Sequence, residues 1–431
     1  MSANFSTLER TISHGVVQHP IPSGDEAIFP QLTEAGPHTD AFQQETNTGL
    51  VLASEVEPHS SSGSPTSTLV HSAKDPEKGG VDAKLVTFVE GDPSNPRNFS
   101  KTKKWTATLL ATLLCFDSGF ASSIITGGLT PMRQQFNVSA DVINLSVCLF
   151  VVGFGVGPLF FAPLSEMYGR RVIYLISMAF FFVFTIPCAV AQNVETLIIC
   201  RFFAGLGASA PMTNAGGTIG DVWAVNERGN KMATFSSILF ASPCLGPLVG
   251  GYIAESVSWR WIYWVLLIFS GFCWLVAFAF LPETYAPTIL RWRAEQLRKE
   301  TGDDTIQTEQ ERQRRSAADI AKESLLRPLQ MLFTEPIMIC FSGYLCLIYG
   351  LLYAFFFAYP IVFEEGHGFS YGQVGLTFLS ILVGIVLVGA FACPLQERYY
   401  QRKIVEGGGS TVPETRLPLM MICSLLLRES A

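Results

Sequence analysis

From Trp105 onward the sequence returns repeatedly to apolar stretches, near 105–127, 142–164, 172–191, 196–219, 232–254, 260–281, 337–360 and 372–394. Each is about 20 residues long, which at ~1.5 Å per residue crosses a ~30 Å hydrocarbon layer as a helix. Several carry proline, at Pro158, Pro187, Pro211, Pro243 and Pro247. Proline would break a soluble helix, but it is tolerated where neighbouring helices satisfy the freed backbone groups. Only 15% of the residues are charged, against ~25% in soluble domains, and the charges gather before residue 105 and in 283–335. Length alone would allow two or three soluble domains, and this distribution excludes them. The expected fold is an all-α integral membrane protein, multi-pass, with the lipid bilayer as its first partner.

Four segments follow. Residues 1–94, rich in Ser, Thr, Pro, Gly and acidic side chains and free of apolar periodicity, read as a disordered tail. The tail lacks the basic start and apolar core of a cleaved signal peptide, so the first span is expected to act as its own uncleaved membrane signal. Residues 95–282 hold six spans, 283–335 form a polar loop, and 336–431 hold two full spans and a stub. If the tail is cytoplasmic, that side collects Arg97, Lys101, Lys103, Lys104, Arg170, Arg171, Arg228, Lys231, the basic residues of the 283–335 loop, Arg398, Arg402, Lys403 and Arg416. The opposite side has Arg133 and Arg260. The positive-inside rule therefore predicts a cytoplasmic tail and a cytoplasmic central loop. Within that loop, Leu290-Arg-Trp-Arg-Ala-Glu-Gln-Leu-Arg-Lys reads either as a basic amphipathic helix on the inner leaflet or as a solvated linker helix.

Most of the ten cysteines lie inside apolar runs without paired spacing, and five of the six histidines are in the tail. Neither a disulfide framework nor a metal site is expected, and no cofactor. No nucleophile and base pair or phosphate loop accompanies the spans, so the chain does not read as an enzyme, and no nucleic-acid partner is expected.

A lone charge at mid-bilayer costs at least ~2.5 kcal/mol and persists when paired or facing water, which makes Asp117 and Arg201 the sharpest candidates for function. Asp117 lies ~18 Å from the inner end of the first span and Arg201 ~21 Å from the inner face in the fourth, so their depths match. If those spans are neighbours, the two charges are expected to meet, as an ion pair exchanging with a proton or a cationic substrate. The alternatives are a fixed buried pair, or Asp117 held neutral by a hydroxyl such as Ser118.

Between the second and third spans stands Ala162-Pro-Leu-Ser-Glu166-Met-Tyr-Gly169-Arg170-Arg171, and Asp221 lies at the same level at the end of the fourth span. An acid, a tight glycine turn and two arginines can form a charge cluster at the membrane edge, though any short inner loop tends to be basic. The fifth span holds Ser242-Pro-Cys-Leu-Gly246-Pro247-Leu-Val-Gly250-Gly251, whose small residues spaced by four admit a partner helix at close range and whose Pro247 kinks the chain.

Together these segments resemble signatures of the major facilitator superfamily, and within it the fungal drug:proton antiporter branch of twelve spans. The 162–171 segment resembles the loop 2-3 signature. Leu197-Ile-Ile-Cys-Arg201-Phe-Phe-Ala-Gly205-Leu-Gly207 resembles the helix 4 signature, and Gly246-Pro247 with Gly250-Gly251 the helix 5 antiporter signature. Pro282-Glu283-Thr284 and Asn95-Pro-Arg-Asn-Phe-Ser are also similar to that branch. Departures are Ala162 and Ser242 for signature glycines and Met167 for a basic residue. The resemblance implies a cavity between two six-helix bundles, alternating access by rocking, and efflux of a lipophilic or cationic small molecule, such as a drug, toxin or secondary metabolite, against protons. It implies a proton role for Arg201, a part for the helix 5 motif in the direction of exchange, and a cytoplasmic latch made by Glu166, Gly169, Arg170, Arg171 and Asp221. It also makes the plasma membrane the expected location.

Against that pattern the C-terminal half is expected to be incomplete: after Pro413-Glu414-Thr415 the apolar run 417–427 is about half a span. The second reading is therefore a truncated, non-transporting membrane protein that binds or interferes with a full-length partner. Asn137-Val-Ser139 is a glycosylation sequon in the short loop after the first span, close to the bilayer.

Overall fold

A computed structural model describes residues 68–74, 82–225, 227–312, 317–406 and 415. The expected disorder of residues 1–67 and the apolar run 417–427 lie outside them. Among the described residues, eight helical segments are long and apolar enough to cross a membrane: Lys101–Phe136, Ala140–Tyr168, Arg170–Ala189, Val194–Val222, Arg228–Ser256, Trp259–Phe280, Pro336–Glu365 and Tyr371–Glu406. Each overlaps one of the expected apolar stretches; six contain theirs whole, while Arg170–Ala189 and Trp259–Phe280 end two residues and one residue short of 191 and 281.

The first span is α1 (Lys101–Ser123), a 3-10 segment Ile124–Gly128 and α2 (Leu129–Phe136). The second is α3 (Ala140–Val156) followed by α4 (Pro158–Tyr168), with the break at Gly157 before the proline. Then come α5 (Arg170–Ala189), α6 (Val194–Val222), α7 (Arg228–Ser256) and α8 (Trp259–Phe280). Helix starts follow local chemistry. Ser100, Asn193 and Ser258 each accept a backbone N–H of the first turn, the caps that small polar side chains provide. Asn137, the sequon asparagine, is exposed and left-handed at φ 52°, and it closes α2. Ser139 then caps α3 by accepting Val142 N–H. The expected loop after the first span is therefore a turn of a few residues.

α6 is central, with α3, α5 and α1 packed around it, while α8 closes against α5 and α1. The core is one apolar cluster that includes Phe150, Phe181, Tyr174, Met132 and Trp223. The second half contributes α12 (Pro336–Tyr359), continued by a π segment Pro360–Glu365, and then α13 (Tyr371–Thr377), α14 (Leu379–Leu387) and α15 (Cys393–Glu406). Here Ser370 and Gln373 form a complete capping box for α13. α7 packs on α1 on one side and on α13 on the other.

At the end carrying most of the basic residues, β1 (Thr68–Lys74) and β2 (Asp82–Phe88) pair antiparallel, with Thr68 opposite Phe88. β2 also pairs in parallel with β3 (Ile306–Gln307), Lys84 opposite Ile306. This places ordered structure inside the segment read as tail and ties it to the central loop. α9 (Ala286–Thr301) turns its apolar side to the sheet, with Ala294, Leu290 and Leu297 packed on Val86 and Ile306. The expectation of a membrane-surface helix or a solvated linker is corrected: the face that would meet lipid covers protein. Two charge pairs reinforce the joint, Arg293 Nη1 to Asp92 Oδ2 at 2.6 Å and Lys84 Nζ to Asp303 Oδ2 at 2.8 Å. Beyond β3 the loop continues through α10 (Glu309–Arg312) and α11 (Ala317–Thr334).

Candidate functional site

At the basic end the turn between α4 and α5 is one residue, Gly169, at φ 98° and ψ 157°. That φ strains any residue with a Cβ, and a Cβ there would also press on the Glu283 carboxylate. Glu283, which follows α8, is buried and accepts four backbone N–H groups. Oε1 takes those of Arg170 (3.0 Å), Thr284 (2.9 Å) and Tyr285 (2.9 Å), and Oε2 takes that of Arg171 (3.1 Å). α5 has no side-chain cap of its own. A carboxylate from 113 residues away satisfies its first N–H groups and complements its positive end. Arg170 extends from this cap to Ser165 Oγ (2.6 Å) and Asn214 Oδ1 (3.2 Å) and pairs with Asp221 at 3.6 Å. Its guanidinium lies over the Tyr285 ring. Arg171 donates to the Phe278 carbonyl.

The expected cluster of Glu166, Gly169, Arg170, Arg171 and Asp221 thus loses one member. Glu166 is exposed and makes no ion pair among the described residues, because the helix runs on to Tyr168 and carries its side chain outward. Glu283 takes the acidic place. The Pro282-Glu283-Thr284 triplet was the available signal, but its carboxylate's role depends on which turn lies beside it.

In mid-membrane the expected Asp117–Arg201 pair does not form. Asp117, fully buried, faces α8, where Ser270 Oγ donates to its Oδ1 at 2.8 Å, and Oδ2 has no hydrogen-bond partner. The hydroxyl foreseen as its partner, Ser118, instead donates to the Leu114 carbonyl. Phe116 and Phe120 of α1 form a ring triad with Phe269 of α8, centroids 5.8 to 6.0 Å apart, which locks the two helices beside this contact.

Arg201 is 1% exposed. It donates to the carbonyls of Ala121 (3.0 Å), Ser122 (3.3 Å) and Ser146 (3.2 Å), and its guanidinium lies 4.0 Å over the Phe150 ring. The physical reason is the end of α1. An α-helix leaves its last four carbonyls without intrahelical donors, and α1 gives way to a 3-10 turn at Ile124. Phe120 O receives Ile124 N–H, Ser123 O receives the Thr126 hydroxyl, and Ala121 O and Ser122 O receive Arg201. The guanidinium finds its acceptors one turn beyond Asp117, on backbone that needs donors. Tyr353 of α12 adds a link from the second half by donating to Ser122 Oγ at 2.9 Å.

The glycines of α7 meet backbone on both sides. A Cβ at Gly246 or Gly250 would collide with Ser123 and Ile124 of the first span, and one at Gly251 with the Tyr371 carbonyl of α13. Pro247 presents its carbonyl to Gly375. Nearer the end remote from the basic cluster, Glu255 Oε2 accepts Gly372 N–H at 3.0 Å, capping α13 across the two halves. Sequence reasoning did not single out Ser270, Tyr353 or Glu255, since none departs from what a span commonly contains.

The sequence pattern of the Major Facilitator Superfamily matches residues 111–427. The MFS-type transporter paaT of Penicillium rubens is 43% identical over 343 residues, 79% of this chain and 62% of that protein. The multidrug transporter TPO3 of Candida glabrata is 42% identical over 336 residues, 77% and 52% of the two chains. Polyamine transporter 3 of Saccharomyces cerevisiae is 41% identical over 334 residues, 77% and 52%. The chain spans about half to three fifths of the length of these relatives. Eight apolar helices among the described residues, a glycine-lined fifth span and a family pattern that covers most of the sequence lead to one conclusion: this chain belongs to the Major Facilitator Superfamily.

Proposed function

We propose that the protein exports a lipophilic or cationic small molecule, of the drug, toxin or secondary-metabolite class, in exchange for protons. The observation that carries this reading is Asp117, a carboxyl buried inside a span with one hydroxyl donor and one oxygen without a partner. A carboxylate so placed is costly in its charged form, and taking up a proton relieves that cost. Ser270 steadies the group in either state, since a hydroxyl donates to a carboxylate or a carboxylic acid alike. Arg201 takes a holding role: its donors are committed to the end of α1 and to Ser146 of α3, so the mobile proton is assigned to Asp117. Relatives named as a multidrug transporter and a polyamine transporter support a cationic or lipophilic cargo. The excess of Lys and Arg at one end supports a cytoplasmic tail and loop, and a plasma-membrane location belongs to the same proposal.

The test is Asp117→Asn in proteoliposomes, with accumulation of a fluorescent lipophilic cation followed under an imposed pH gradient. The amide oxygen can still accept from Ser270, so the helix contact survives while the titrating group is gone. The expected outcome is loss of pH-driven accumulation with gradient-free substrate exchange retained. An unchanged response to the pH gradient would remove Asp117 from coupling.

A further inference from the structure

The start of α1 and the start of α7 come together at the basic end, and both are electrostatically unbalanced. α1 opens with Lys101, Lys103 and Lys104 and has no acidic residue in its first turn. α7 opens with Arg228, reaches Lys231 one turn later, and has neither an acid nor a side-chain cap there. Helix N-termini carry partial positive charge and ordinarily attract carboxylates, so lysines at two adjacent starts are opposed by both dipoles. None of Lys101, Lys103, Lys104 and Lys231 forms an ion pair among the described residues. Glu227, which precedes α7, is exposed and pairs with none of them.

Two of these ammonium groups converge on one indole. Lys104 Nζ lies 5.5 Å and Lys231 Nζ 4.5 Å from the Trp223 ring centroid, and Lys231 is also 5.9 Å from that of Trp105. The rings meet edge to face at 5.4 Å. Trp223 is buried and fixed, its Nε1–H donating to Thr108 Oγ1 at 2.9 Å, while Arg228 donates to the Gly220 and Trp223 carbonyls and holds the turn between α6 and α7. Ring faces attract the ammonium charge but accept few of its three N–H donors, which stay available to an oxyanion. Trp105 is 39% exposed, and Leu109, one turn deeper on the same face, is 52% exposed. A half-exposed tryptophan at the head of a span with apolar surface beneath it matches the level of lipid headgroups above acyl chains.

We propose that Lys104 and Lys231, set on the Trp105 and Trp223 pair, bind the phosphate headgroup of an anionic phospholipid, with Leu109 lying along its acyl chain. The phosphodiester supplies the negative charge that the first turns of both helices lack and that Glu227, exposed at the α7 N-cap, does not bring to these lysines. This inference is independent of the transport reading.

The experiment measures lipid retained by the full chain after extraction from vesicles of phosphatidylcholine and phosphatidylserine, counted by native mass spectrometry. Each lysine removed is expected to lower the preference for phosphatidylserine about fivefold. Lys104→Gln with Lys231→Gln therefore loses most of it, while Lys104→Arg with Lys231→Arg keeps it. A control with the same charge loss elsewhere in the polar loop, Lys299→Gln with Lys322→Gln, keeps it as well. Equal losses in the control would show a general charge effect and overturn the site. Inorganic phosphate displacing phosphatidylserine at millimolar concentration would assign the pocket to a free anion and overturn the lipid reading. If the Gln pair does not fold, the unmodified protein decides: the preference must weaken with rising salt, and a salt-independent preference refutes the proposal.

Discussion

Glu283 concentrates more bonding than any other single carboxylate among the described residues, and removing it tests the reading of the basic end. Its four acceptor contacts, at 2.9 to 3.1 Å, join the start of α5 to the segment after α8. Hydrogen bonds to a charged group contribute ~1.5–3 kcal/mol each, but they are not additive. Breaking a buried charged network by truncating one partner costs ~3–5 kcal/mol. Glu283→Ala is expected in that range. Glu283→Gln keeps an oxygen for the three N–H groups now on Oε1, but it turns an NH₂ toward Arg171 N–H, donor against donor, for a cost of about 1–2 kcal/mol. For a bundle of this size, ~2–4 °C per kcal/mol translates these into a fall in melting temperature of about 10 °C for Ala and about 4 °C for Gln. The buried thiols Cys115, Cys188, Cys244 and Cys273 serve as reporters, since a thiol-reactive dye reaches them only on unfolding. Hydrogen exchange at the Arg170 and Arg171 amides localises the effect. If Glu283→Ala melts within about 1 °C of the unmodified protein and those amides stay protected, the cap is not what holds this turn.

Two further outcomes follow from contacts described above. Gly250→Val puts a Cβ into the Ile124 carbonyl and should destabilise by at least the ~1–3 kcal/mol of overpacking, read in the same thiol assay; Gly343, with open space around it, is the position where Ala should be tolerated. At the joint of tail and loop, burial pushes the Asp92 carboxyl up, but the Arg293 guanidinium and the Ser94 backbone N–H outweigh it and hold it below the usual carboxylate range. Such a depressed group adds stability above its unfolded value and loses it as pH falls through the folded one, so the β2 and α9 amides should stay protected to about pH 4 and lose protection below it. Asp92→Asn should shrink that acid step in hydrogen exchange corrected for intrinsic rate, leaving the part carried by Asp303, whose carboxyl Lys84 and Thr305 also hold below the usual range.

The spans were legible because the signal is local. A run such as 260–281 must be helical to satisfy its backbone in hydrocarbon, whatever lies beside it, and α8 occupies Trp259–Phe280. The glycines of the fifth span were legible for a similar reason: spacing by four puts them on one face, and a face of small residues invites close approach. The sequence could not say that this face is shared, with Gly246 and Gly250 against the first span and Gly251 against α13.

Depth along a helix axis follows from counting residues, and by that measure Asp117 and Arg201 stand level. Their partners follow from rotation about the axis and from where a neighbouring helix ends, and neither is encoded in a 3.6-residue period. Asp117 therefore reached Ser270, 153 positions away, and Arg201 reached backbone that α1 leaves open when it breaks at Ile124. Likewise, both readings of the basic segment in α9 made it a helix, as it is, but only the pairing of β2 with β3 determined that its apolar side would meet protein. By itself the sequence determined the membrane class, the number of spans in the described residues and the segments that carry motifs, because burying apolar surface and satisfying backbone groups are local demands. Tertiary structure alone decided which charges are capped, paired or left with a free oxygen, because those contacts join residues on different segments, from about 50 to more than 150 positions apart.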